Sequence, residues 1–444
     1  MLSWIGFLAI VVIVTILIRG KTTPIIPLVL VPIIAALIAG FTFSDIGEFF
    51  SAGMSSVLNV AIMFIFAIIF FGIMQDVGLF DPIIDKIVKA THGNVVLISV
   101  GTVFIAMIAQ LDGSGASTFL ITIPALLPLY RQMKMSPYLL LLLIAGSAGI
   151  MNMLPWAGPL GRAATVLEMD VTELWKPLIP IQIIGMLVMA ALAFYLGKRE
   201  QRRIIKQYGS LEQAIATKVD SFLGEEVESA SEQVEVVATE QKRRMYVWNL
   251  LLTVLVIGVL VANILPAGLA FMSGTAIALL MNFRSAKLQG ETIQRHAPNA
   301  LTMASIILAA GTFLGILNGT GMLTSIAEDM VSILPSAVSS QIHIIIGLLG
   351  MPFELLLNTD AYYYGLLPVV EQIASTFGTA PQSTAYAMIV GNIVGTFISP
   401  FSPALWMGLG LAGAELGKHI KYSFFWLWGV TLVLLGVAFT LGLF

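Results

Sequence analysis

Long apolar runs broken at a few fixed places by polar tips set the pattern of this chain. Runs of spanning length, roughly 17–25 residues, cover Leu2–Ile18, Pro24–Gly40 and Val57–Gln75, followed by an amphipathic piece, FDPIIDKIVKATHG, from Phe80 to Gly93. The stretch from 94 to 134 differs: two apolar arms flank Gln110-Leu-Asp-Gly-Ser-Gly115. Lipid offers no partners for free backbone groups, so irregular chain at membrane depth is tolerated only where protein or a wet cavity surrounds it. The stretch therefore predicts a re-entrant hairpin with its tip near Asp112. A span over 138–167 follows, interrupted at Asn152-Met-Leu-Pro-Trp-Ala-Gly-Pro159, and then a span over 177–196.

After a polar stretch the plan returns. Spans are predicted at Tyr246–Ile264, Ala267–Phe283 and Asn299–Asn318, then an amphipathic piece with Glu328 and Asp329. A second hairpin covers 343–370, with its tip at Asn358-Thr359-Asp360. A span over 383–413 is broken at Gly395–Pro403, and a last span covers 424–444. Leu-Leu-Pro follows the tip in both halves, at Pro128 and Pro368, and the paired prolines Pro155/Pro159 and Pro400/Pro403 recur as well.

Charge orients these segments, because cytoplasmic loops carry the excess of Lys and Arg. Arg19 and Lys21, Arg131 and Lys134, Lys198 to Arg203, Arg284 and Lys287, and Lys418 and Lys421 then face the cytoplasm, and the N-terminus lies outside. The first hairpin enters from the cytoplasm and the second from outside, which makes the halves an inverted repeat. The expected organisation is a first repeat over 1–197, a cytoplasmic linker over 198–244 and an inverted second repeat over 245–444. In all this is an all-α polytopic membrane protein with about 10 transmembrane helices, two re-entrant hairpins and two broken helices.

Composition supports this. Of 444 residues, 58% are hydrophobic and 11% charged, with a mean hydropathy of +0.95; a soluble domain carries about 25% charged residues. Without cysteine there is no disulfide, thiolate nucleophile or cysteine metal site, and a net charge of -3 gives no reason to expect nucleic acid. The four histidines show no ligand spacing. The first apolar segment lacks a basic lead and reads as a retained helix rather than a signal peptide. The expected location is the cytoplasmic (inner) membrane.

Two polar tips, one per half, point to the binding site of a secondary transporter. Broken helices place N-terminal ends, which favour anions, and C-terminal ends, which favour cations, near the midplane. Ser114, Gly115, Ser117, Thr118, Asn152, Asn358, Thr359, Ser399 and Ser402 are candidates for substrate contact; each could instead serve close helix packing. Arg162 is the one embedded guanidinium, with a fork that suits a carboxylate; its structural alternative is to partner an acid such as Asp112. Asp112, Asp360, Asn392 and Thr396 are candidates for ion or proton coupling, since a charge at membrane depth needs a reason. Either aspartate could also cap a half-helix, and both are candidates for touching a metal. Glu354 is a weaker candidate for proton coupling, and Tyr362, Tyr363 and Tyr364 read as packing residues, as His343 reads as an interface residue.

At these residues the chain resembles the citrate–metal:proton symporters of the CitMHS type, within the ion transporter superfamily. The resemblance rests on FFGIMQDVGLFDPIID at Phe70–Asp85, LDGSGASTFLITIPALLPLY, NMLPWAGPLGRAATVL at Asn152–Leu167 and NTDAYYYGLLP, and runs end to end. It implies uptake of citrate complexed to Mg²⁺ or Ca²⁺, driven by H⁺, by a homodimer working as an elevator. No resident cofactor is implied. The first tip and first break would form one half-site, the second tip and second break the other. The family's first tip often reads Asp-Gly-Asp-Gly, whereas Ser114 stands here at the second acidic position, which leaves open a smaller organic anion without metal, or Na⁺ in place of H⁺. The rival classes are a channel or scaffold, and an intramembrane enzyme whose only candidate is a dyad of Asp112 and Asp360.

Overall fold

The computed structural model describes residues 1–19, 21–91, 94–208, 235–262, 264–333 and 335–444. Among them the chain is all helical, with no strand. The expected linker falls largely on 209–234, outside the described residues; the chain on either side of it is helical.

The first half runs through α1 (Leu2–Arg19), α2 (Ile25–Ile38), α3 (Phe43–Asp76) and α4 (Asp81–Ala90). It continues with α5 (Val95–Ala109), a 3-10 turn (Gln110–Asp112), α6 (Gly115–Gln132), α7 (Pro137–Met151), α8 (Gly158–Val166), α9 (Val171–Trp175) and α10 (Ile179–Tyr208). The second half has α11 (Glu235–Val261), α12 (Ala267–Asn282), α13 (Ala286–Gly319), α14 (Met322–Ile333), α15 (Ser336–Ser339) and α16 (Ile342–Phe353). A π-helical stretch (Ala361–Leu366) leads to α17 (Leu367–Thr376), and α18 (Pro381–Asn392), α19 (Pro403–Ala412) and α20 (Leu416–Thr440) complete it.

Among the described residues five stretches are long and apolar enough to cross a bilayer: Phe43–Asp76, Val95–Asp112, Val171–Tyr208, Ala286–Gly319 and Leu416–Thr440. Shorter apolar helices such as Leu2–Leu17, Pro137–Met151 and Ala267–Asn282 join them. Several spanning helices in one chain make a multi-pass membrane protein.

Some helices outrun their apolar cores. α3 begins at Phe43 rather than Val57, because Thr42 and Asp45 close a capping box that satisfies the first amides. α13 begins at Ala286 rather than Asn299, capped by Ser285, and carries Pro298 within it. Hydropathy marks the part of a helix in lipid, whereas caps mark where the backbone winding starts.

Two packing groups recur. α3 lies against α12 and α13, with α1, α2 and α14 alongside; α16 lies against α18, α5 against α7 and α10, and α6 against α19. Glycines permit the closest approaches. A Cβ at Gly53 would fall on the Gly311 carbonyl, and one at Gly391 on the Gly347 carbonyl, so backbone meets backbone in both groups.

Candidate functional site

The chain leaves helix at the two expected tips and the two expected breaks. At the first tip α5 tightens into its 3-10 turn and reverses at Gly113, whose φ is +74°. A side chain there would meet both this left-handed backbone and the Trp156 carbonyl, 2.9 Å from a Cβ, so glycine is required. Ser114 caps α6 by accepting from the Ser117 amide at 3.5 Å, and Asp112 Oδ1 accepts from the Ser114 amide at 2.8 Å. The helix cap is thus Ser114, while Asp112 holds the turn before it.

The first break is bolted to this tip. Trp156 Nε1 donates to the Leu111 carbonyl at 2.7 Å, and Gln110 Nε2 donates to Asn152 Oδ1 at 2.8 Å. Gln110 Oε1 accepts from the Thr118 hydroxyl. Gln110 is fully buried and ties α5, α6 and α7 together, a role not among the sequence-based expectations. Its signal was available: an amide closing an apolar arm at membrane depth needs partners. Trp156 also stacks on Phe71, with ring centroids 4.9 Å apart, which fixes the break against α3.

At the second tip Asn358 caps the returning arm by accepting from the Ala361 amide at 2.8 Å, and donates to the Leu17 carbonyl of α1 at 2.9 Å. Asp360 makes no capping bond; its Oδ1 accepts from Arg162 Nε at 2.6 Å. The structural alternative for Arg162, an acid partner, is met by Asp360 rather than by Asp112: the guanidinium reaches the tip of the other half. Neither can Asp112 and Asp360 act as a matched dyad, because the second is committed to a cation. The second break returns the contact, with Ser399 Oγ donating to the Glu354 carbonyl at 2.6 Å. Asn392 Nδ2 faces the Gly350 carbonyl at 3.4 Å, and Thr396 donates within its own turn.

The halves also interlock. A Cβ at Gly115 would strike the Phe397 ring of the second break, and one at Gly149 would lie 2.9 Å from the Ile393 carbonyl. Both tips and both breaks therefore meet at one place. Ser114, Gly115, Ser117, Thr118, Asn152, Arg162, Ser399 and Asn392 stand at or beside these contacts, Asn358 is bonded to α1 and its own arm, Thr396 bonds within its own turn, and Ser402 precedes α19 without a side-chain capping bond. Three helix N-termini begin here, those of α6, α8 and α19, and their amides supply partial positive charge for an anion. Three or more His, Asp or Glu side chains placed to hold a metal are not found among the described residues.

The family model CitMHS, described as "Citrate transporter", matches residues 7–391. A citrate transporter of Bacillus subtilis (strain 168) is 36% identical over 444 residues, covering 100% of this chain and 99% of its own length. The Mg(2+)/citrate complex secondary transporter of the same organism is 36% identical over 443 residues, with the same coverage. Among solved structures, the Alcanivorax borkumensis YdaH transporter, described as having an unusual topology, superposes with a TM-score of 0.58. It does so at 15% identity, over 90% of each chain, a likeness of fold alone. The matched relatives are transporters, not enzymes.

Proposed function

The chain belongs to the CitMHS family of citrate transporters, and from that premise we propose that it is a secondary active symporter of the cytoplasmic membrane. Its substrate is citrate, or a related di- or tricarboxylate, carried as a complex with Mg²⁺ or Ca²⁺ and driven by H⁺. The observation that carries this reading is the meeting of two polar tips and two helix breaks, with the embedded Arg162 joining the helix after the first break to the second tip. Such a place offers helix N-termini and small hydroxyls but little formal positive charge. A metal that travels on the substrate cancels part of the citrate charge, so one guanidinium, already shared with Asp360, suffices. The metal is cargo here, not a resident group.

In this reading the two tips are re-entrant hairpins of an inverted repeat, one opening to each side. Ser114, Ser117, Thr118, Asn152, Arg162, Asn358, Thr359, Ser399 and Ser402 face the substrate. Asp112, Asp360, Asn392 and Thr396 line the path of the coupling ion, and the metal's open positions come closest to Asp112 and Asp360. The group holding α5, α6, α7 and α16 to α19 moves as an elevator past α1 to α3 and α12 to α14, in a homodimer. A second reading is favoured by Ser114, which leaves one acid fewer at the first tip: a smaller carboxylate without metal, or Na⁺ as coupling ion.

Uptake of labelled citrate into proteoliposomes, with and without Mg²⁺ or Ca²⁺ and under separate H⁺ and Na⁺ gradients, tests the proposal. Metal-dependent, proton-driven uptake is expected. Citrate uptake without metal removes the complex, transport of another carboxylate alone replaces the substrate, and silence for every organic anion overturns the reading.

A further inference from the structure

At the end of α16 several buried polar atoms have no hydrogen-bond partner: both carboxyl oxygens of Glu354, Oδ1 of Asn392 and the hydroxyl of Tyr363. Glu354 is 1% exposed. Its backbone is held fast, the amide donating to the Gly350 and Met351 carbonyls at 3.2 Å and the carbonyl accepting from Ser399. Its Cβ and Cγ press against Gly395, each 3.3 Å from where a Cβ would stand. The carboxyl is thereby aimed at the second break, where the side chains of Asn392 and Ser399 face it.

The charged and titratable groups around it are few. Arg162 and Asp360 lie within its field but are spent on each other. Tyr362 and Tyr363 of the π-helical stretch also lie within its field, the Tyr362 hydroxyl donating to the Met388 carbonyl. Ser399's hydroxyl is used on the backbone. Among the described residues Glu354 has no ion pair. It also sits at the C-cap of α16, the negative end of a helix dipole, where an added negative charge is disfavoured. A bare carboxylate here would be a buried, unpartnered charge at membrane depth. One proton resolves the arrangement. A neutral carboxyl carries an O–H to give, and Asn392 Oδ1, itself buried without a partner, is an acceptor for it on the side chain that faces Glu354.

We propose that Glu354 is the site at which the coupled proton is bound and released, with Asn392 as the acceptor for its protonated form. The assignment rests on the symport reading above. An O–H bond forms on a Glu354 oxygen when the proton arrives from water on the loading side. The same bond breaks to water on the other side, and the substrate is not chemically changed. Asp360 stays with Arg162, and Asp112 stays with the Ser114 amide.

The test uses the full chain in proteoliposomes, with citrate and Mg²⁺, for the parent and E354Q. Accumulation under an inward proton gradient is recorded together with proton entry, and exchange of labelled for unlabelled citrate is recorded without a gradient. One pH unit acting on one proton is worth about tenfold in accumulation. E354Q is expected to lose that factor and the citrate-linked proton entry while keeping exchange, which moves no net proton. Accumulation and proton entry equal to the parent's would overturn the assignment, as would parent uptake driven by Na⁺ without proton movement. Absence of uptake in the parent itself would instead overturn the symport reading, and this assignment with it. Should E354Q not yield folded protein, E354D decides. Its shortened carboxyl still takes a proton, so accumulation persists with a displaced pH profile, and an unchanged profile would overturn the proposal.

Discussion

Arg162 Nε donates to Asp360 Oδ1 at 2.6 Å, joining the first broken helix to the second polar tip across 198 positions of sequence. Each side chain is only about one-tenth exposed, 11% and 13%, and Gly158 leaves the room in which the guanidinium lies. Removing one partner leaves the other charged and without a counterpart.

Arg162→Ala is therefore expected to destabilise the protein by about 3–5 kcal/mol, the cost of stranding one member of a largely buried pair. R162A combined with Asp360→Ala should cost less than the sum of the single changes, and Arg162→Lys should restore only part, because an ammonium lacks the fork. Thermal unfolding of the purified variants measures all three. Equal and additive losses would mean that the two side chains do not act as a pair.

Gln110→Ala should strand the Asn152 and Thr118 side chains that the amide bridges. Each buried group left without a partner costs about 1–3 kcal/mol. Loss of citrate uptake with a lowered melting temperature is the expected outcome, and Gln110→Glu should not substitute, since it cannot donate to Asn152 when ionised. Parent-like uptake in Q110A would detach this residue from the site.

Two glycines offer a contrast. Gly391→Ala drives a methyl into the Gly347 carbonyl, whereas a Cβ at Gly436 meets nothing within 4 Å. Overpacking of this kind costs about 1–3 kcal/mol. A melting temperature lowered by Gly391→Ala and unmoved by Gly436→Ala is expected. Equal behaviour would show that α16 and α18 are not in backbone contact.

Ser114→Asp keeps the cap of α6, since Asp and Ser are about equally good at that position, whereas Ser114→Ala costs about 1 kcal/mol. The new carboxylate stands beside Asp112 at the tip. S114D is expected to fold normally and to need less Mg²⁺ for half-maximal citrate uptake. An unchanged metal requirement would place the tip away from the metal carried by the substrate.

Much of the architecture could be read from residues that break apolar runs. Gly113, Pro155 and Pro400 stand where the chain leaves helix, through φ or a missing amide, and Pro159 and Pro403 open the helices that follow, since a first-turn amide has no partner to lose. Family membership was legible in the same motifs. What sequence did not carry was pairing in space. Arg162 found Asp360 rather than Asp112 because α8 meets the π-helical stretch of the other half, a tertiary relationship with no local signal. The early start of α3 was written in Thr42 and Asp45, a capping signal overshadowed by the apolar run that follows. Gln110 was hidden in the same way by the neighbouring aspartate.

The contact between Gly347 and Gly391 has a mechanical meaning. Where helices meet through side chains, rotamer changes can absorb a small shift before it is passed on. Here α16 and α18 touch through bare backbone, and a joint without side chains has no slack. Any displacement of the helix that ends at Glu354 is handed undiminished to the helix that ends at Asn392. In the elevator proposed above, the two ends would keep their spacing as the pair moves.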